Sequence, residues 1–349
     1  MERIRVFDMF CGGGGSSLGA RLAGAEVVGG VDMWPVATKA FGLNFPRAKV
    51  FTGDLRLIEP SDVVKETGPI DLLLSSPECT HHTCARGSKP RSEESKETAL
   101  QVIRYANVMK PRWVVLENVT HMKPWERYPE LKAELEKLGY TLREQILDSA
   151  KFGVPQRRKR LFLIADLMGT PEVVTGSRRR EVPAREILDP TGTWPMTPLR
   201  KEGRAKGTLE RAERGIAALG EQEPFLLVYY GNDGAGGWQS LDVPLRTITT
   251  VDRFALVIPT ENGHMMRMLQ PVELRRAMGF PENYIFPEVT KRNRIRLLGN
   301  AVCSPVMAAI IKSLKKSAIE QEISLRQAGA HESCNDDLAP QALPSAILA

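Results

Sequence analysis

The 349 residues carry a formal charge of +6 and a pI near 9.1, with 42% hydrophobic and 26% charged residues. That is enough chain for one large unit plus a smaller one around a sizeable core, and the basic balance suits a nucleic-acid partner without requiring one. No stretch approaches the roughly 18 apolar residues of a membrane span, no secretory pattern precedes the first strand-like run, and the five scattered cysteines argue against a disulfide framework, so an intracellular, cytoplasmic protein is expected.

Up to about residue 165 short apolar runs alternate with helix-like segments. Ile4–Phe10, Glu26–Val31, Asp71–Ser75, Trp113–Glu117 and Arg160–Ala165 are predicted strands. Ser17–Ala23, Pro35–Asn44, Glu97–Met109 and Tyr128–Leu138 are predicted helices. This alternation predicts an α/β, doubly wound, Rossmann-like sheet whose ligands sit beyond the carboxyl ends of the strands. From about Asp166 to Gln239 the rhythm gives way to Gly, Pro and Arg, which predicts a small irregular unit. Regular structure is expected again near Pro244, with a strand Phe254–Ile258 and helices Pro271–Met278 and about Ser304–Leu314. The polar, Pro-dotted tail beyond about Gln321 is predicted to be disordered. The expected division is 1–165, 166–241, 242–316 and a disordered tail 317–349.

Two strand ends concentrate the unusual residues. Phe7–Gly19 runs from a strand through Cys-Gly-Gly-Gly-Gly into a helix, which lets the backbone approach a ligand closely. Asp32, about 20 residues downstream, suits ribose hydroxyls, and Asp54, after another expected strand, could meet an adenine amino group. A ligand-free sharp turn reads the same way, and the turn alone does not choose NAD, FAD or S-adenosylmethionine. At the second edge Leu72–Thr83 places Cys79 just past an apolar strand, Trp113–Val119 places Glu117 at the end of another, and Gly153–Leu163 adds clustered arginines. A thiolate adding at C6 of cytosine would make C5 nucleophilic towards a methyl sulfonium, with a carboxyl group and a guanidinium to meet the charge developing at N3 and O2. Singly, each residue has a plainer reading: a buried small hydrophobe, a strand-end cap, a solvated face. Cys79, His81, His82 and Cys84 are too compressed for a zinc site, so no metal is expected.

Taken in order, the segments Phe10-Cys-Gly-Gly-Gly-Gly, Pro-Glu-Cys79, Glu117-Asn-Val, Gln156-Arg-Arg-Lys-Arg160, Arg246-Thr-Ile-Thr-Thr250, Gly279-Phe-Pro281 and Gly299-Asn-Ala-Val302 resemble the cytosine-C5 DNA methyltransferase family over roughly residues 1–165 and 244–315. The resemblance implies S-adenosylmethionine as cofactor, held by Phe10, Gly12, Gly14, Asp32, Met33, Asp54, Pro77, Asn300 and Val302. It makes Cys79 the nucleophile and Glu117 the partner of the cytosine N3 and amino edge, with Arg158 steadying O2 and Arg160 supporting the site. It makes Ala85–Glu97, with Arg86, Lys89 and Arg91, a loop closing over double-stranded DNA, and 166–241 the target-recognition region. The target base would be flipped out of the duplex. A single chain of bacterial or phage origin, working as a monomer, fits the same resemblance.

In the recognition region Arg178, Arg179, Arg180 and Arg204 supply candidate phosphate contacts, which give affinity but no sequence information. Gly231–Ser240 reads as either a groove-entering loop or a plain hairpin. The resemblance departs at Glu78, where the family usually has a second proline, and at Thr80, where it commonly has Gln. A carboxylate beside a thiol disfavours the thiolate, so an altered base or transferred group stays open. The same chemistry on RNA, a DNA-binding regulator without catalysis and a nicotinamide-dependent dehydrogenase are the competing functions.

Overall fold

The computed structural model describes residues 3–77, 98–176, 180–230 and 236–336. Glu78, Cys79, Arg86, Lys89, Arg91, Arg178 and Arg179 therefore lie outside the described residues, as does much of the expected Gly231–Ser240 loop.

The larger unit is built from β1 (Arg5–Met9), α1 (Gly15–Leu22), β2 (Glu26–Asp32), α2 (Pro35–Asn44), β3 (Lys49–Thr52), α3 (Pro60–Thr67), β4 (Leu72–Ser75), α4 (Gln101–Met109), β5 (Trp113–Asn118), α5 (Tyr128–Lys137), β6 (Thr141–Asp148) and β7 (Lys159–Asp166). Its sheet runs β3-β2-β1-β4-β5-β7-β6, with β3 to β5 parallel and β7 antiparallel to both neighbours. β4 and β5 are buried along their whole length, as central parallel strands covered on both faces must be. The sequence reading missed β6 and α3. β6 reads Thr-Leu-Arg-Glu-Gln-Ile-Leu-Asp and sits at the sheet edge, half-buried for most of its length, so it lacks the apolar run that marks its neighbours. α3 is a single eight-residue stretch opened by Pro60, with only Pro60, Val63 and Thr67 buried.

The smaller unit is more regular than expected. β8 (Thr197–Pro198), β9 (Phe225–Val228), β10 (Trp238–Ser240), β11 (Phe254–Thr260) and β12 (Gly263–Met268) form an antiparallel sheet in the order β10-β9-β11-β12-β8. α6 (Lys206–Leu219) lies on it, with Gly215 so close to Phe225 that a Cβ would fall 2.9 Å from the ring's Cδ2. Two findings differ from the sequence reading. Charged residues on the exposed face of α6 hid a helix whose buried stripe is only Thr208, Ala212, Gly215 and Ile216. The small sheet also takes strands from both sides of Leu241, so Phe254–Thr260 pairs there and not in the large sheet. Between them the chain crosses back over the large unit: Leu245 N–H donates to Pro155 O (3.0 Å), Arg157 N–H to Leu245 O (2.7 Å), and Ile248 N–H to the Gln156 side chain (2.8 Å).

The chain then closes the structure through α7 (Pro271–Ala277), α8 (Lys291–Asn300) and α9 (Ser304–Asp336). A buried Arg267–Glu273 pair (2.6 Å) joins the end of β12 to α7, and Glu273 also accepts the Asp189 and Gln270 N–H groups, so its carboxylate is fully engaged. α9 packs on α1, where a Cβ on Gly19 would come 2.6 Å from the Met307 Cβ. α9 does not stop near Leu314 and continues to Asp336 through the segment expected to be disordered. Two i,i+4 ion pairs, Lys316–Glu320 (3.5 Å) and Glu322–Arg326 (2.6 Å), support that extension. The helical run Lys291–Ser324 contains a window of mean hydropathy 1.5, apolar enough to cross a membrane, but 72% of that window is buried inside the protein.

Candidate active site

The carboxyl ends of β1, β2, β4 and β5 open into one cleft, lined by Phe10, Gly12, Asp32, Met33, Asp54, Pro77, Glu117, Arg158, Arg160 and Asn300 among others. β1 is followed by Phe10, which holds a positive φ of 58°, and then by Gly12 at 51° and Gly14 at 81°. A non-glycine residue in that region is uncommon and costs backbone energy. Asp32 fixes the turn, accepting the N–H of Gly12 (2.9 Å) and of Trp34 (2.8 Å). The space over Gly12 is open, since a Cβ there would meet only the Phe10 carbonyl oxygen at 3.9 Å. Gly14 serves the turn from behind: Tyr284 donates to Gly13 O (2.6 Å), and its hydroxyl and the Phe45 ring fill the space a Gly14 side chain would need.

Asp54 is gripped by the Arg56 guanidinium (2.6 Å), which holds its carboxyl below the usual range. Met33 is 69% exposed at the mouth, and Asn300 is exposed at the end of α8. Val302 is placed differently from the other expected cofactor residues. It is buried behind the cleft, and its backbone lies so close to Gly15 that any Cβ there would collide with it.

At the reactive edge the Asn118 side chain donates to Pro77 O (3.2 Å) and accepts Val119 N–H (2.8 Å), which ties the ends of β4 and β5 together. Glu117 is buried, and Arg160 Nε lies 3.2 Å from its Oε1. Burial pushes the Glu117 carboxyl up, against the opposing charges of Arg160 and Arg158. Arg158 donates to Ile248 O (3.0 Å) and Gly299 O (2.9 Å), so it braces the returning segment 245–250 and the end of α8. Cys11 and Cys303 are buried free thiols whose desolvation raises both above the ordinary thiol range, so neither supplies a ready thiolate.

The expected basic contacts fare unevenly. Arg180 is exposed. Arg204 turns back onto its own chain, donating to Pro198 O (2.8 Å), Thr197 Oγ1 (2.9 Å) and Leu199 O (3.2 Å). A groove lined by Arg214, Trp238 and Arg246, and by Arg157 from the segment before β7 of the larger unit, instead gathers basic residues. Sequence reasoning also missed Trp34, Arg56 and Arg296 on the cleft wall. Trp34 and Arg56 each stand two residues beyond a predicted site aspartate, and that spacing is the signal that could have found them.

Asp8, on β1 beneath the glycine turn, accepts the Ser17 hydroxyl on Oδ2 (2.6 Å), while its buried Oδ1 meets no hydrogen-bond partner among the described residues. Desolvation, partly offset by Ser17 and reinforced by the Asp32 charge, pushes its carboxyl from 3.8 up to about 7. The folded protein therefore keeps a proton that the unfolded chain has lost. The stability this contributes is fully present below the unfolded pKa and is lost as pH rises through about 7. Asp8→Asn should gain on the parent by on the order of 2–3 kcal/mol between about pH 5 and about pH 8. Thermal unfolding across that range checks it, and a pH-independent difference contradicts it.

The comparisons with known proteins agree with this geometry. The type II methyltransferase M.HgiDI of Herpetosiphon aurantiacus is 30% identical over 167 residues, covering 48% of this chain and 53% of that protein, so the chain matches about half the length of this relative. M.HindV of Haemophilus influenzae is 27% identical over 316 residues, covering 86% of this chain and 92% of that protein. The solved structure of the Entamoeba histolytica methyltransferase EhMeth superposes with a TM-score of 0.67 at 18% identity, over 91% of this chain and 99% of that one, which shows a shared fold. The model of the C-5 cytosine-specific DNA methylase family matches residues 4–316, and the chain belongs to that family.

Proposed function

We propose that the chain transfers a methyl group from S-adenosylmethionine to C5 of cytosine in double-stranded DNA. The observation that carries this reading is buried Glu117 paired with part-buried Arg160 at the end of β5, on the wall of the same cleft as the glycine turn. The residues fit the cofactor: open space over Gly12, a carboxylate at the ribose position in Asp32, a second in Asp54, and apolar walls from Phe10, Leu55 and Leu297. When bound, the cofactor supplies an electrophilic methyl group.

The chain's own residues do the rest. Cys79, two positions beyond Pro77 on the cleft wall, adds as thiolate to C6 of a flipped-out cytosine. Glu117, whose burial favours its neutral form, hydrogen-bonds the N3 and amino edge and gives N3 a proton as charge develops there. The C5 carbon takes the methyl group, leaving S-adenosylhomocysteine, then a base removes the C5 proton, the C6–S bond breaks to return the thiolate, and N3 gives its proton back to Glu117. Arg160, beside Glu117, is the guanidinium proposed to meet O2, a reading supported by the commitment of Arg158 to two backbone carbonyls. This reverses the division of labour expected from the sequence.

The smaller unit, with Arg214, Trp238 and Arg246 in a groove that Arg157 of the larger unit completes, is the proposed target-recognition surface, and a monomer inside the cell is the proposed working form. Tritiated methyl transfer offered DNA and tRNA in parallel tests the substrate. Label in DNA is expected, and label in tRNA alone would move the reading to RNA.

A further inference from the structure

Four arginines line the cleft, and three are already committed. Arg56 grips Asp54, Arg158 holds two backbone carbonyls, and Arg160 faces Glu117. The fourth, Arg296, is exposed, and no carboxylate pairs with it among the described residues. Its guanidinium lies over Trp34, 4.3 Å from the ring centroid, which fixes the charge at the cleft mouth. Arg296 and Asn300 are four residues apart on α8 and so share a face.

Two N–H groups of the glycine turn are already engaged, Gly12 N–H with Asp32 and Gly14 N–H with Cys11 O, and the turn itself carries no positive side chain. With Asp32 and Asp54 taking the nucleoside, the amino-acid end of the cofactor needs a cation from elsewhere. We propose that Arg296, held on the face of Trp34, binds the α-carboxylate of S-adenosylmethionine. This rests on the cofactor reading above.

Calorimetric titration with S-adenosylhomocysteine and with its decarboxylated analogue tests it, on the parent, Arg296→Met and Arg296→Lys. Arg296→Met is expected to weaken S-adenosylhomocysteine binding about five- to tenfold at low salt, and less as salt rises. It should leave the decarboxylated analogue unchanged, and Arg296→Lys should restore part of the loss. Unchanged S-adenosylhomocysteine binding in Arg296→Met, or an equal loss for both ligands, overturns the proposal while leaving the cofactor reading intact. A parent protein that binds neither ligand overturns both.

Discussion

Replacing Cys79 by alanine is expected to abolish methyl transfer, a loss of about 10⁴-fold or more, because the ring carbon has no other route to nucleophilicity. The described alternatives are poor, since Cys11 and Cys303 are buried thiols pushed above the range where a thiolate forms readily. A second readout separates chemistry from folding. DNA carrying 5-fluorocytosine cannot lose its C5 substituent as a proton, so the parent should form an adduct that survives denaturing electrophoresis and the variant should not. Cofactor binding should be unaffected in the variant. Residual methylation near the parental rate would remove Cys79 from the mechanism.

Glu117→Gln is the second large effect, with kcat expected to fall about 10²- to 10⁴-fold while affinity for cofactor changes little. Glutamine keeps the hydrogen-bonding shape but holds no proton to give to N3. Because burial raises the Glu117 carboxyl, the acid form persists to higher pH than in an exposed glutamate, and activity should decline on the alkaline side as that proton is lost. The variant should lack that limb. The substitution also leaves part-buried Arg160 without its 3.2 Å carboxylate partner, so unfolding should be measured alongside the kinetics. Equal kcat for parent and variant contradicts the assignment.

Much of the fold was legible because central parallel strands are written as unbroken apolar runs, as in Leu72–Ser75 and Trp113–Asn118. What stayed hidden lacked that signature. β6 is a mostly polar edge strand, α6 buries only a narrow stripe, and the small sheet is assembled from strands far apart in sequence. For the site, residues at strand ends were readable because topology alone sends them to one edge. Side-chain commitments were not. That Arg158 braces Ile248 and Gly299, that Val302 lies behind the cleft, and that Arg204 folds onto β8 depend on contacts across more than one element. Charge runs say as little: nothing in the basic stretch around Arg204 told that the carbonyls of Pro198 and Leu199 would claim it.

The central claim is tested most directly by incubating the protein with unmodified DNA and S-adenosylmethionine, digesting the DNA and analysing its nucleosides by mass spectrometry. The account predicts 5-methyldeoxycytidine as the product. DNA that is bound tightly yet returns no modified cytosine would contradict it.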